Sequence, residues 1–356
     1  MSKKVLITGA GGGGSNNLIR DLKKVNKNIT VIGTNIDRFQ VAKSIADKSY
    51  LISVSTDTKN YLKEINKLIK EEGVALIIPN NDREVGILSE NREKVTTRLF
   101  LPEKKAVSIC QDKWELYCLL KKHNIPQALT FKINTINDIQ DTFNMMVNYD
   151  QYWIRPVKGS GSKGATRVKT KEQAVFWIKY WNDIRGINID QFTISEFLPG
   201  RDLAVQSTWK KGKLILMKIV ERLSYYGGDA RPSGMSSTPQ LAKTVRIDEV
   251  INLCQKVAKL VSDNPNGNFN FDLKQNSDGI FCITEINIGR FCMITPIFDL
   301  SGKYNMIDTY IKLALDEKIN IDNPIDIEEN VYLIRELDTE PLILREKEID
   351  PFVNTI

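Results

Sequence analysis

Short apolar runs alternate with amphipathic stretches over the first hundred residues. Residues 5–8 are apolar and break into Gly9-Ala10-Gly11-Gly12-Gly13-Gly14, after which 16–24 has helical spacing. Apolar runs recur at 30–34, 50–52 and 75–78, and 61–70 reads as an amphipathic helix. Strands alternating with helices predict a parallel, doubly wound sheet. Strand, glycine turn and helix in that order form the opening of a nucleotide-type βαβ unit.

The pattern changes after residue 110. A helix over 111–122 is closed by Pro126, since proline stops a helix. A strand over 152–157 runs into the loop Lys158 to Gly164, resumes at Val168, and precedes a helix over 171–180. Further strands are read at 192–198, 203–206 and 214–217, the last two antiparallel. Residues 269–273 and 281–287 read as a hairpin across Ser277-Asp278-Gly279. Residues 221–237 form a long polar, glycine-bearing stretch, and such loops are usually functional. Runs at 331–335 and 341–345 look like strands that complete the last domain or pair with a second subunit.

Composition narrows the classes. At 356 residues, 42% apolar and 26% charged, the chain is globular and suits two or three domains, which excludes disorder as its main state. A net charge of +6 suits an anionic ligand and is too small and too dispersed for a nucleic-acid footprint. The one histidine, His123, excludes His-based metal clusters and makes a His-driven triad a poor fit. Five cysteines with no C-x-x-C pair read as reduced and intracellular. The apolar run near Met1 is too short for a signal-peptide core, and no stretch approaches the ~20 residues of a membrane span. A cytoplasmic location is expected.

Three constellations carry candidate chemistry. Gly9, Gly11 and Gly14 satisfy G-x-G-x-x-G, and Asp37 lies 23 residues past Gly14. This is either an NAD site or a tight turn exposing N–H groups to a small anion, and the N-terminal half alone does not choose. Lys158-Gly159-Ser160-Gly161-Ser162-Lys163-Gly164 offers flexible backbone donors and positive charge for phosphates. It is not a P-loop, because no Lys-Ser or Lys-Thr follows the second glycine. Finally, Asp272 and Glu285 lie on the two hairpin strands, and Asn287, two residues past Glu285, faces the same side as Glu285. Three oxygen ligands on adjacent strands suit Mg²⁺ (or Mn²⁺) shared with phosphates.

Taken in order, Asp112-Lys113, Ile154-Arg155-Pro156, the 159–164 loop, Glu196-Phe197-Leu198-Pro199-Gly200, Asp272 and Glu285-Ile286-Asn287 resemble the ATP-grasp superfamily. The likeness is greatest to single-unit relatives of the carbamoyl-phosphate synthase large subunit and to carboxylate–amine ligases. It implies an α/β and α+β architecture: a Rossmann-like pre-ATP-grasp domain over 1–108, a small lobe over 109–190, a large lobe over 191–320 and an extension over 321–356. In this family the N-terminal glycine turn is not a nicotinamide site, and an oxidoreductase reading leaves every motif past residue 110 unexplained.

The resemblance also implies roles. Lys113, Arg155, Lys158, Gly159, Ser160, Gly161, Ser162 and Gly164 match the phosphate-contacting positions. Glu196 matches the acid facing the adenine amino group, with Phe197 and Leu198 as backbone donors and apolar walls. Asp202 occupies the ribose position. Asp272, Glu285 and Asn287 match the metal set, with Asn270 a rival for the first place. Arg290, displaced by one position from the family's Asn-Pro-Arg, and Arg222, in the loop expected to close over substrate, are the catalytic candidates. Gly11, Gly12, Asp82, Glu84 and Arg231 are candidates for the acceptor side. The implied reaction uses ATP and Mg²⁺, couples a small carboxylate to an amine, and involves neither nucleic acid nor membrane; a homodimer is a family expectation. A non-catalytic ATP-binding module is the rival reading, opposed by the metal set.

Overall fold

The structure is a computed structural model of the chain, described over residues 3–159, 161–336 and 342–345. Strands β1 (Lys3–Thr8), β2 (Ile29–Asn35), β3 (Lys48–Leu51), β4 (Leu76–Ile78) and β5 (Arg98–Leu99) form an all-parallel sheet in the order 3-2-1-4-5. Helices α1 (Gly13–Val25), α2 (Arg38–Lys43), α3 (Thr58–Glu72) and α4 (Asp82–Glu90) make the crossovers. Val5, Leu6 and Ile7 of the central strand are wholly buried, as expected for a strand covered on both faces.

The glycine turn after β1 is packed from above. Gly11 has φ +87°, and a Cβ there would stand 1.8 Å from the backbone carbonyl oxygen of Gln40 in α2. Its N–H donates to Asn16 Oδ1 at 3.0 Å, and Asp37 caps α2 by accepting from Phe39 N. The backbone of α2 thus closes directly on the turn at Gly11.

Helices α5 (Lys104–Gln111) and α6 (Lys113–Lys122) lead to the small lobe. What reads as one helix in sequence is two, broken at Asp112, whose carboxylate caps α6 by accepting from Trp114 N and Glu115 N. Strands β6 (Thr130–Ile133), β7 (Tyr152–Pro156), β8 (Thr166–Val168) and β9 (Phe192–Glu196) form a four-stranded antiparallel sheet in the order 6-9-7-8. Helices α7 (Asp138–Met145) and α8 (Lys171–Arg185) cover it. β9, assigned to the large lobe from sequence, is hydrogen-bonded between β6 and β7, so the small sheet runs on to Glu196.

Strands β10 (Asp202–Lys210), β11 (Lys213–Tyr225), β12 (Pro239–Thr244), β13 (Gly267–Gln275), β14 (Phe281–Ile288), β15 (Val331–Ile334) and β16 (Leu342–Arg345) form the large sheet in the order 14-13-10-11-12-15-16. Helices α9 (Asp248–Val261), α10 (Thr295–Leu300) and α11 (Met306–Ala314) pack on it. The tail strands therefore extend this sheet within the chain; Pro341 lies outside the described residues. β11 is longer than its apolar run implies, and carries Glu221 to Tyr225 as strand rather than loop.

One apolar cluster joins Val5, Ile7, Leu18 and Ile19 of the first sheet to Phe298, Met306 and Tyr310 of the large lobe. The small lobe has a separate core around Ile154, Ile178 and Ile194. The parallel sheet and the large lobe thus share an interior, and the small lobe faces them across a cleft. Among the described residues, no helix is long and apolar enough to cross a membrane.

Because Gly11 combines a left-handed φ with backbone contact, Gly11→Ala should lower the unfolding free energy by about 2–4 kcal/mol. Denaturant unfolding at unchanged m-value measures this; a loss under 0.5 kcal/mol would show that α2 yields freely.

Candidate active site

The cleft between the lobes is lined by both, and its chemistry starts from a defect in the β13–β14 ladder. Asp272 is directly opposite Glu285, but Leu273 is opposite Ile283, so Thr284 is an extra residue on β14. A bulge of this kind releases backbone groups from the ladder and re-aims side chains. Thr284 Oγ donates to Asp272 O at 2.9 Å, and the Thr284 carbonyl accepts from Arg155 Nη2 of β7 at 2.9 Å. The bulge therefore aligns two carboxylates side by side and ties the small lobe to them.

Asn287, on the same face, donates from Nδ2 to Asp272 Oδ2 at 2.9 Å and to Glu285 Oε1 at 3.3 Å. Lys113 Nζ lies 3.5 Å from Glu285 Oε2 and donates to Gly159 O at 2.8 Å. Burial works against ionisation of Glu285, but Lys113 and Arg155 outweigh it and bring its pKa down to about 2. Burial and the Glu285 charge push Asp272 the other way, up to about 7, against the pull of Arg222. Among the described residues no group of three or more His, Cys, Asp or Glu is arranged to hold a metal ion by itself. The set is two carboxylates and one carboxamide, a donor set that fits a hard cation sharing its remaining positions with phosphate oxygens. Asn270, the rival, is turned away: its Nδ2 donates to the Arg290 carbonyl at 2.5 Å.

The phosphate side is held by backbone geometry. Gly159 and Gly161 have positive φ with no atom within 4 Å of a built Cβ, so the loop from Lys158 has both conformational freedom and open space. Lys158, Gly159, Gly161, Ser162 and Lys163 face the cavity, while Ser160 lies outside the described residues. Lys158 is mostly exposed and 3.6 Å from Asp112. Gly164 does not line the cavity. It sits under Pro156, and its carbonyl accepts from Trp177 Nε1 at 2.9 Å, which anchors the end of the loop.

At the far end, Glu196, Phe197 and buried Leu198 line the wall. Glu196 Oε1 accepts from Leu129 N at 3.0 Å, and Phe197 N is already committed to Gln151 O at 3.2 Å. Phe197 thus contributes its ring, over which Arg167 and Lys274 stand at 5.2 and 5.5 Å, rather than its N–H.

Several sequence-level assignments change. Asp202 lines the cavity with both carboxylate oxygens already engaged: Oδ1 accepts from Arg222 Nε at 2.7 Å and Oδ2 from Tyr225 O–H at 2.8 Å. Arg222 is on β11, not in a loop, and also donates to Asp272 Oδ1 at 2.8 Å and Leu203 O at 2.9 Å. Burial opposes its charge, but Asp202 and Asp272 outweigh that and raise its pKa. It is a clamp between two acids rather than a mobile substrate contact. Arg231 is exposed in the 226–238 loop and does not line the cavity; Met235, Ser236 and Ser237 of that loop do.

On the acceptor side, Gly11 and Gly12 do not reach the cavity, and Gly11 is spent on packing. Glu84 is buried and saturated, accepting from Thr8 Oγ at 2.6 Å, Tyr61 O–H at 2.9 Å and the Asn81 amide. It fastens β1, α3 and α4 together. Asp82 is outside the cavity as well, but it pairs with Arg290, whose Nε lies 2.5 Å from Asp82 Oδ1. Arg290 does line the cavity and donates from Nη2 to Asn287 Oδ1 at 2.5 Å.

Lys274 and Tyr225 were missed in sequence. Lys274 lines the cavity 3.9 Å from Asp202 and was legible, since it follows Asp272 by two on one strand. Tyr225 carries no such signal.

A family profile for the ATP-grasp domain matches residues 110–291, and one for the PylC-like N-terminal domain matches residues 5–98. The chain belongs to the ATP-grasp family. ATP, with Mg²⁺, goes with that membership. Among solved structures it is similar to the biotin carboxylase domain of Hydrogenobacter thermophilus 2-oxoglutarate carboxylase, with TM-score 0.70 at 18% identity over 93% of this chain and 73% of that one. An L-amino acid ligase from Bacillus licheniformis gives 0.69 at 11% identity, covering 93% and 78%. N5-carboxyaminoimidazole synthetase from Staphylococcus aureus gives 0.67 at 13% identity, covering 94% and 82%. At these identities the likeness is one of fold. No curated protein matches the chain.

Removing Arg222 leaves Asp202 and Asp272 without the cation they share. Arg222→Met should destabilise the protein by about 3–5 kcal/mol. Asp202→Leu in the same chain should recover part of that loss, and calorimetry of the three variants measures it. Equal stability of Arg222→Met and wild type would remove the clamp.

Proposed function

We propose that the protein phosphorylates a small-molecule carboxylate with ATP and couples the acyl-phosphate to an amine, releasing ADP and phosphate. The observation that carries this is the Asp272–Glu285–Asn287 face set opposite Lys113, Arg155 and the Lys158–Lys163 loop across one cavity. Cations and open backbone donors on one wall, and acids fit for Mg²⁺ on the other, are what a triphosphate needs. Glu196, Phe197 and Leu198 bound the end where a base would stack.

Asp272, Glu285 and Asn287 would hold the Mg²⁺, which would supply positive charge to offset that of the phosphates. Lys113 and Arg155 would offset the charge that grows as the bond from the γ-phosphorus to the β–γ bridging oxygen breaks. A carboxylate oxygen of the acceptor forms the new bond to phosphorus. The amine nitrogen then attacks the acyl carbon, phosphate departs with the bonding pair, and the nitrogen loses a proton to solvent. No side-chain nucleophile is required, and burial raises the Cys292 thiol to about 12. Arg290, between the cation set and the first sheet, marks the acceptor end.

The test is ADP release over a panel of carboxylates, hydrogen carbonate included, each paired with amines. A carboxylate–amine pair that raises turnover at least tenfold over ATP alone supports the reading. Glu285→Gln should then cost about 10²–10³-fold in kcat with the fold intact by circular dichroism. Wild-type turnover in that variant would refute the assignment of the acidic face.

A further inference from the structure

The carboxamide of Asn287 is placed between two sets of partners that demand opposite ends of it. Arg290 can only donate, so the atom facing it is Oδ1, at 2.5 Å. The Asp272 and Glu285 carboxylates accept, and the atom facing them is Nδ2. The amide hydrogens of Asn287 thus lie where positive charge is needed between two acids. A cation held by the same three residues requires the reverse, because only the carboxamide oxygen can ligate it. Inverting the carboxamide turns its NH₂ toward Arg290, and two donors cannot bond.

Arg290 has somewhere else to be. Its Nε pairs with Asp82 Oδ1, its Nη2 lies 3.4 Å from Asp82 Oδ2, and its Nη1 donates to Phe291 O at 3.2 Å. Asp82 begins α4 of the first sheet domain, with its own carbonyl held by Gln111 Nε2 at 2.6 Å. Of the contacts Arg290 makes, only the one to Asn287 depends on which way that carboxamide points.

We propose that Asn287 is a two-position residue: its carboxamide inverts when a divalent cation enters the Asp272–Glu285 pair, and the inversion releases Arg290 from the sheet while Asp82 retains it. The inference rests on the cation-binding reading of that face. Its consequence is an order of events. Before the cation arrives, both N–H groups of Arg290 Nη2 have partners, Asn287 and Asp82; afterwards the one turned to Asn287 can donate to an anionic group at the cavity's acceptor end. Asp82 is then a positioning residue, which keeps Arg290 at the rim instead of letting it follow Asn287 or swing into the carboxylate pair.

The test uses the unaltered full chain, so no variant has to fold. Crystals grown in EDTA are compared with crystals grown with Mn²⁺ and ADP, the ion being located by its anomalous signal. The proposal expects Mn²⁺ on Asp272 and Glu285 with Asn287 Oδ1 within about 2.3 Å of it. Arg290 Nη2 should then be beyond 3.5 Å from either terminal atom of Asn287 and still bonded to Asp82, with the ion-free contact as described above. Mn²⁺ bound while Arg290 remains on Asn287 Oδ1, or bound without Asn287, overturns the switch and leaves the cation site standing. Absence of Mn²⁺ from Asp272 and Glu285 overturns both.

Discussion

Two carboxylates held side by side in a β-ladder repel each other, and most of the cleft is arranged around that fact. Asp272 and Glu285 are cross-strand partners on the last two strands at one edge of the large sheet, and like charges directly opposed are unfavourable. Arg222 answers Asp272 from β11, Lys113 answers Glu285 from the start of α6, and the Asn287 amide lies across both. Each of these comes from a different stretch of the chain. The acidic pair therefore works as a joint: removing its neighbours would expose a charge problem that the sheet alone cannot solve.

The bulge at Thr284 makes this joint serve both lobes. By leaving the ladder, the Thr284 carbonyl becomes available to Arg155, whose other surroundings are the small sheet. Arg155 is buried enough that burial lowers its pKa, with Glu285 and Asp272 pulling the other way. An arginine in an apolar strand is thus held by one backbone oxygen and two acids across the cleft. Much of the positive charge in the cleft is similarly committed before any ligand enters. What remains least committed is the loop of Lys158 and Lys163, at the solvent side where a triphosphate would arrive.

The sequence was legible wherever a residue's role depends on its own strand. Period two put Glu285 and Asn287 on one face, and glycines with lysines marked the 158–164 loop, all of which line the cleft except Gly164 and the undescribed Ser160. The alternation of the first hundred residues was enough for the parallel sheet. It was not legible where the role depends on a partner far along the chain. Nothing in the sequence around Asp202 shows Arg222 and Tyr225 converging on it from β11. Glu84 looked like an acceptor contact because its three donors come from β1, α3 and the loop before α4. The Gly11 turn had the form of a cofactor site, and only the packing of Gln40 shows what the glycine is for.

This division has a physical cause that bears on how the acceptor end is built. A carboxylate or guanidinium that lies in a protein interior must be matched, and matching groups are seldom neighbours in sequence. The end of the cavity at the 158–164 loop is made largely of backbone and of cations near solvent, so its signature is local. The acceptor side is made of buried ions, and Arg290 shows the difference: its sequence neighbours place it on the turn after β14, but its chemistry is set by Asp82, 208 residues earlier. The same ion pair lies at the seam where the first sheet meets the large lobe, beside their shared apolar core. A substrate pocket built on that seam inherits its specificity from the N-terminal domain, through whichever group Arg290 is holding when the substrate enters.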